Sequence, residues 1–175
     1  MAAVASTRTR SALPWLWLSL LVIVLDQATK LLALQELALH RPVPVIDGLL
    51  NWMLTYNPGA AFSFLSDASG WQRWFFSALA LLISAVLAVL LRRMPRHDWR
   101  QALPFALIIG GALGNLVDRL RFGHVVDFVD VYWGSSHFPA FNVADAAISV
   151  GAVLLIVFSI FTGASGNSRA AAPSK

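Results

Sequence analysis

Hydrophobic positions gather into four long blocks, each near the roughly 20 residues that an α-helix needs to cross a bilayer core. They cover about 13–34, 71–91, 102–120 and 143–161. Pro14 falls in the opening turn of the first block, where proline is tolerated. Arg8 and Arg10 precede that block as in a cleavable secretory leader, but the run continues through Asp26, Gln27 and Lys30 to Leu34. That length predicts an uncleaved span. After Thr162 the chain turns Gly, Ser and Ala rich, which predicts a disordered tail over about 163–175.

Between the blocks, the segment 35–70 is too long for a simple connector. Val43, Val45 and Ile46, then the run from Leu49 to Tyr56, read as short β-prone stretches broken by Pro42, Pro44, Asp47 and Gly48. Asn57-Pro58-Gly59 is a turn signal, followed by Ala60-Ala61-Phe62-Ser63-Phe64. These features predict a small sheet on the membrane surface, with Trp52, Tyr56, Trp71 and Trp74 at headgroup level. The segment 121–141 contains Val125-Val126-Asp127-Phe128-Val129-Asp130-Val131-Tyr132, which suits either a strand or a short surface helix. The expected fold is a mainly α membrane protein: four transmembrane helices, a small periplasmic β-platform, and a short periplasmic loop or helix. No internal repeat is evident, and the 175 residues form one domain.

Composition agrees, since 58% hydrophobic residues and a mean hydropathy of +0.68 are too apolar for a soluble domain of this size. With no cysteine, disulfides, thiolate metal sites and a cysteine nucleophile are excluded. The net charge of +4 reflects topology. Arg8 and Arg10 precede span one; Arg92, Arg93, Arg96 and Arg100 join spans two and three; Arg169 and Lys175 follow span four. Cations accumulate in short cytoplasmic segments, so both termini are expected there. A basic stripe with stacking aromatics is missing, which argues against nucleic acid. Asp47, Asp67, Asp127 and Asp130 fall in the outer loops, and Asp26, Asp118 and Asp145 near the outer span ends. Carboxylate chemistry is therefore expected at the outer face.

Ionisable groups within spans are costly unless paired or wet. Asp26 and Lys30, four apart, have the spacing of an internal ion pair. Gly110 and Gly114 make a small-xxx-small ridge that admits a close helix. Asn115 and Arg119 project from one face, and Arg119 alone could simply snorkel to phosphate. Asn142 has the position of an N-cap and Asp145 that of a first-turn acid; the alternative is a polar stripe of Asn142, Asp145 and Ser149 facing the bundle interior. Asp127 lies between Val126 and Phe128 without a helical reason, and a solvated loop acid is its plainest explanation. His124 raises the question of a metal, but HExxH and dense His clusters are lacking.

Five motifs, in order, resemble those of lipoprotein signal peptidase (signal peptidase II). They are Asp26-Gln27-Ala28-Thr29-Lys30; Asn57-Pro58-Gly59-Ala60-Ala61-Phe62; Gly110-Gly111-Ala112-Leu113-Gly114-Asn115-Leu116-Val117-Asp118-Arg119; Val125-Val126-Asp127-Phe128; and Phe141-Asn142-Val143-Ala144-Asp145. The resemblance spans about 20–160. It implies an aspartyl endopeptidase of the bacterial inner membrane that cleaves signal peptides from diacylglyceryl-modified prolipoproteins, just before the lipidated cysteine. It maps the catalytic pair onto Asp127 and Asp145. Asp26, Lys30, Asn57, Gly111, Asn115, Arg119 and Asn142 become substrate-binding or supporting residues. It further implies globomycin as inhibitor, membrane lipids as surroundings, and no cofactor or metal.

The chemistry suits these residues. Two close carboxyls sharing one proton can activate water and protonate the leaving amine. Asp118, better explained as partner of a nearby arginine, and Asp130, as a solvated loop acid, are the competitors for the second position. A transporter using Asp26, Lys30 and Arg119 would carry charges nearer the midplane and often show repeats. A scaffold built on the Gly110–Gly114 ridge would leave Asp127 and Asp145 without a joint purpose.

Overall fold

A computed structural model describes residues 11–59 and 70–167, with side chains up to residue 161. Arg8, Arg10, Asp67, Arg169, Lys175 and the stretch 60–64 lie outside the described residues.

All four expected spans are helices: α1 (Leu16–Glu36), α2 (Trp71–Arg93), α3 (Trp99–Phe122) and α4 (Val143–Asn167). Pro14 makes the entry to α1 a 3-10 turn over Leu13–Trp15. At the other end, α4 carries through Asn167, past the start of the expected tail. Extending an existing helix adds one hydrogen bond per residue fixed, and a glycine there costs only about 1 kcal/mol. Residues 168–175 lie outside the described residues.

The helices divide their surfaces between lipid and protein. In their apolar windows, α3 is 61% buried, against 28%, 22% and 17% for the others. Hence α3 is the central post, packed on by α1, α2 and α4, while Leu, Val and Trp side chains of the outer three stay exposed. Glycines on α3 allow this crowding. A β-carbon on Gly110 would come 2.7 Å from Val22 of α1, and one on Gly111 would strike the Ala144 carbonyl of α4. One helix thus receives neighbours on two faces. Away from the sheet, Ala12, Leu91, Ala102, Phe105 and Ile109 close the bundle, near Arg92, Arg93 and Arg96.

Both outer segments build one antiparallel sheet, in the order β1 (Val43–Ile46), β2 (Leu50–Asn57), β3 (Val125–Trp133), β4 (Ser136–His137). Of the two alternatives for 121–141, the strand is realised, with its first four residues, Val125 to Phe128, buried. The β3–β4 turn contains Gly134 at φ +60°, a conformation glycine adopts without strain. Beside the platform, the short non-sheet element is the irregular stretch 138–142. There the Phe141 carbonyl accepts the N–H groups of Phe128 (3.1 Å) and Val129 (2.9 Å), and Phe141 N–H returns a bond to Val129 O. This clamp brings the start of α4 against β3.

Candidate active site

The site lies where α1, α3 and α4 meet β2 and β3. Asp127 pairs across the sheet with Thr55, and Val125 with Asn57, so Asp127 and Asn57 are neighbours. Asp127 is only 1% exposed and is not a solvated loop acid. Asn142 Nδ2 donates to Asp127 Oδ1 at 2.7 Å, and Asn57 also hydrogen-bonds to it. The Asn57 oxygen accepts Gly59 N–H at 2.9 Å, which fixes the amide's orientation.

Asp145 enters from the first turn of α4. Its backbone N–H bonds to Asn142 Oδ1 at 2.9 Å, so Asn142 is an N-cap, as expected, and a site residue at once. Asn115 Nδ2 reaches Asp145 Oδ1 at 2.7 Å. Asn115 Oδ1 accepts from Asn142 Nδ2 (3.2 Å) and from Lys30 Nζ (2.9 Å). The two acids are thus joined through two asparagines. Burial, reinforced by the nearby charge of Asp145, pushes the Asp127 carboxyl up to about 7; hydrogen bonds from Asn57 and Asn142 and the charge of Lys30 oppose that rise.

Asp26 and Lys30 form the expected pair at 2.8 Å, both buried. Lys30 also pairs with Asp118 at 2.8 Å. The short contacts of Asp118 are thus with Lys30, Gln27 (2.9 Å) and the Val126 N–H (3.0 Å), while the expected arginine, Arg119, acts on it only through its charge. Asp130 is not solvated. It is 1% exposed and held by Asn51 (2.9 Å) and His137 (2.8 Å); burial opposes its charge, but these partners win and hold its carboxyl below the ordinary value. Ser149 is exposed and does not extend a stripe from Asn142 and Asp145. The helix turns it outward. Gly111 serves by having no side chain where Ala144 passes.

Arg119 is half-buried, its guanidinium 5.2 Å from the Phe76 ring centroid and Nη1 3.5 Å from Asn115 O. Its Nε has no partner among the described residues. His124 is packed against the rings of Tyr56 and Phe122, and burial lowers its pKa. Among the described residues, no group of three His, Asp or Glu side chains converges to hold a metal. Gln27 and Asn51 were absent from the sequence-derived site; Gln27 sits inside the first motif, whereas nothing local marks Asn51.

Fold and site define a multi-pass membrane protein with two acids, one buried and one half-buried, linked through asparagines where its helices meet a sheet. Residues 18–161 match the family described as signal peptidase (SPase) II. The chain is 60% identical over 151 residues to a lipoprotein signal peptidase of Xanthomonas euvesicatoria, covering 86% of this chain and 88% of that one. It is 57% identical to that of Xylella fastidiosa, covering 86% and 90%. Two solved bacterial membrane enzymes share the fold: one with TM-score 0.78 and 27% identity over 95% of this chain and 99% of that one, another with 0.73 and 29% over 85% and 94%. The chain belongs to the signal peptidase II family.

Proposed function

We propose that Asp127 and Asp145 are the catalytic pair of an aspartyl endopeptidase acting on diacylglyceryl-modified prolipoproteins, cleaving just before the lipidated cysteine. The observation that carries this reading is the Asp127–Asn142–Asn115–Asp145 chain of hydrogen bonds, which links a buried acid to a half-buried one in a fixed frame. A raised Asp127 supplies the proton that the pair must share. Asp127 passes its proton to the scissile carbonyl oxygen while ionised Asp145 takes a proton from water. The water oxygen bonds to the carbonyl carbon, giving a tetrahedral intermediate. The proton held by Asp145 then passes to the amide nitrogen, the C–N bond breaks, and the carbonyl re-forms as Asp127 regains its proton. No cofactor or metal enters this scheme.

Asp26, Lys30, Asn57, Gly111, Asn115, Arg119 and Asn142 shape the site, and globomycin is its inhibitor. The whole chain acts as one domain among membrane lipids. The arginines of 92–100 lie at the end opposite the sheet, which supports cytoplasmic termini and a periplasmic site in a bacterial inner membrane. The test is cleavage of a diacylglyceryl-prolipoprotein by purified enzyme, with and without globomycin. Asp127→Asn and Asp145→Asn should each lower the rate by about a thousandfold or more with the protein still folded in the membrane. Near-normal cleavage by either variant would defeat the assignment.

A further inference from the structure

A buried ammonium lies beneath the two acids. Lys30 Nζ makes three short contacts: Asp26 Oδ2 and Asp118 Oδ2 at 2.8 Å each, and Asn115 Oδ1 at 2.9 Å. These use all three of its protons, so Lys30 has none left for substrate. The two carboxylates each hold a peptide N–H as well. Asp26 Oδ1 accepts the N–H of Ala144 at 2.9 Å, and Asp118 Oδ2 accepts the N–H of Val126 at 3.0 Å. Ala144 immediately precedes Asp145, and Val126 immediately precedes Asp127. Gln27 Nε2 spans the same two carboxylates, at 2.9 Å to Asp118 Oδ1 and 3.2 Å to Asp26 Oδ2.

From this arrangement we infer that Lys30 and Gln27, acting through Asp26 and Asp118, are positioning residues that set the separation of the two reacting acids by gripping the backbone just ahead of each. Asp118 and Gln27 thereby acquire a role in the reaction. The inference rests on the proposed pairing of Asp127 with Asp145. Burying one cation against two carboxylates is a poor route to stability, because desolvation offsets the attraction; such a group is better suited to fixing geometry. The clamp also joins segments that the chain keeps far apart, since α1 contributes Asp26, α3 contributes Asp118, and neither carries a reacting acid.

The experiment compares Asp118→Asn and Gln27→Leu in the full-length enzyme, with Asp127→Asn as reference. Asp118→Asn retains an oxygen for the Val126 N–H but breaks the charge tie to Lys30. Gln27→Leu removes the second bridge without leaving a buried charge unpaired. Each should lower kcat about ten- to a hundredfold with KM nearly unchanged. The alkaline limb of the pH–rate profile should move to lower pH in Asp118→Asn, because looser spacing and a less neutralised Lys30 both favour ionised Asp127. A fall in activity that only tracks the loss of folded protein, with the profile unmoved, overturns the clamp. So does wild-type kcat in both variants alongside an inactive Asp127→Asn. If Asp118→Asn does not fold, kcat of Gln27→Leu decides alone. Normal cleavage by Asp127→Asn would instead remove the underlying pair.

Discussion

Asn115 and Asn142 touch side chain to side chain, Oδ1 to Nδ2 at 3.2 Å, and each holds one acid at 2.7 Å. Their orientation is determined by their surroundings. Asn115 Oδ1 faces the Lys30 ammonium and Asn142 Oδ1 faces the Asp145 N–H, so turning either amide over would set donor against donor.

Asn142→Ala removes the donor to Asp127 and the acceptor for the Asp145 N–H together. Loss of the cap should cost about 1 kcal/mol of stability. Leaving the buried Asp127 Oδ1 without its donor, at about 1–3 kcal/mol, should lower kcat/KM roughly five- to a hundredfold. Thermal melts in detergent and initial rates read the two effects separately. Unchanged kcat/KM would show that Asn142 is only a cap.

The pH–rate profile should have an alkaline limb near pH 7, where the shared proton is lost. Burial and Asp145 put it there by raising Asp127, and the observed value belongs to the pair. Asn57→Ala removes one of the hydrogen bonds that pull Asp127 down, so its limb should move to higher pH. A limb unmoved in this variant would separate Asn57 from the acid pair.

Asp127 should also lower the stability of the fold at neutral and higher pH. A carboxyl whose folded pKa is about 7 and whose ordinary value is 3.8 opposes folding once ionised. That penalty is absent below about pH 4, grows as pH rises towards 7, and is complete above it. Asp127→Asn should therefore be more stable than the native enzyme at pH 8, by an amount on the order of a few kcal/mol, with the advantage much reduced at pH 5. Equal melting curves at both pH values would contradict the raised carboxyl.

Two glycines on tight contacts should separate stability from activity. A β-carbon on Gly111 would meet the Ala144 carbonyl, and one on Gly151 would sit 3.0 Å from the Pro104 carbonyl. Either alanine variant should lose about 1–3 kcal/mol. Only Gly111→Ala should lower activity per folded molecule, because Ala144 carries the N–H held by Asp26, next to Asp145. Equal specific activities would refute this distinction.

The sequence by itself determined what local pattern and solvent preference can encode. Four apolar blocks became four helices, the turn and β-prone runs of 43–57 became a hairpin, and Asp26 and Lys30 met at helical spacing. Asn142 took its cap, and the five motifs marked the family. Tertiary structure alone decided who faces whom across long separations. It made one sheet from two loops, so that Asn57 lies beside Val125 and Asp127 beside Thr55. It gave Asp118 to Lys30, sealed Asp130 between Asn51 and His137, and turned Ser149 outward. These choices depend on which helix faces and strand registers pack together, and a carboxyl's partner in a dry interior is set by that packing, since residues 68 to 88 positions apart leave no periodic signal of their contact.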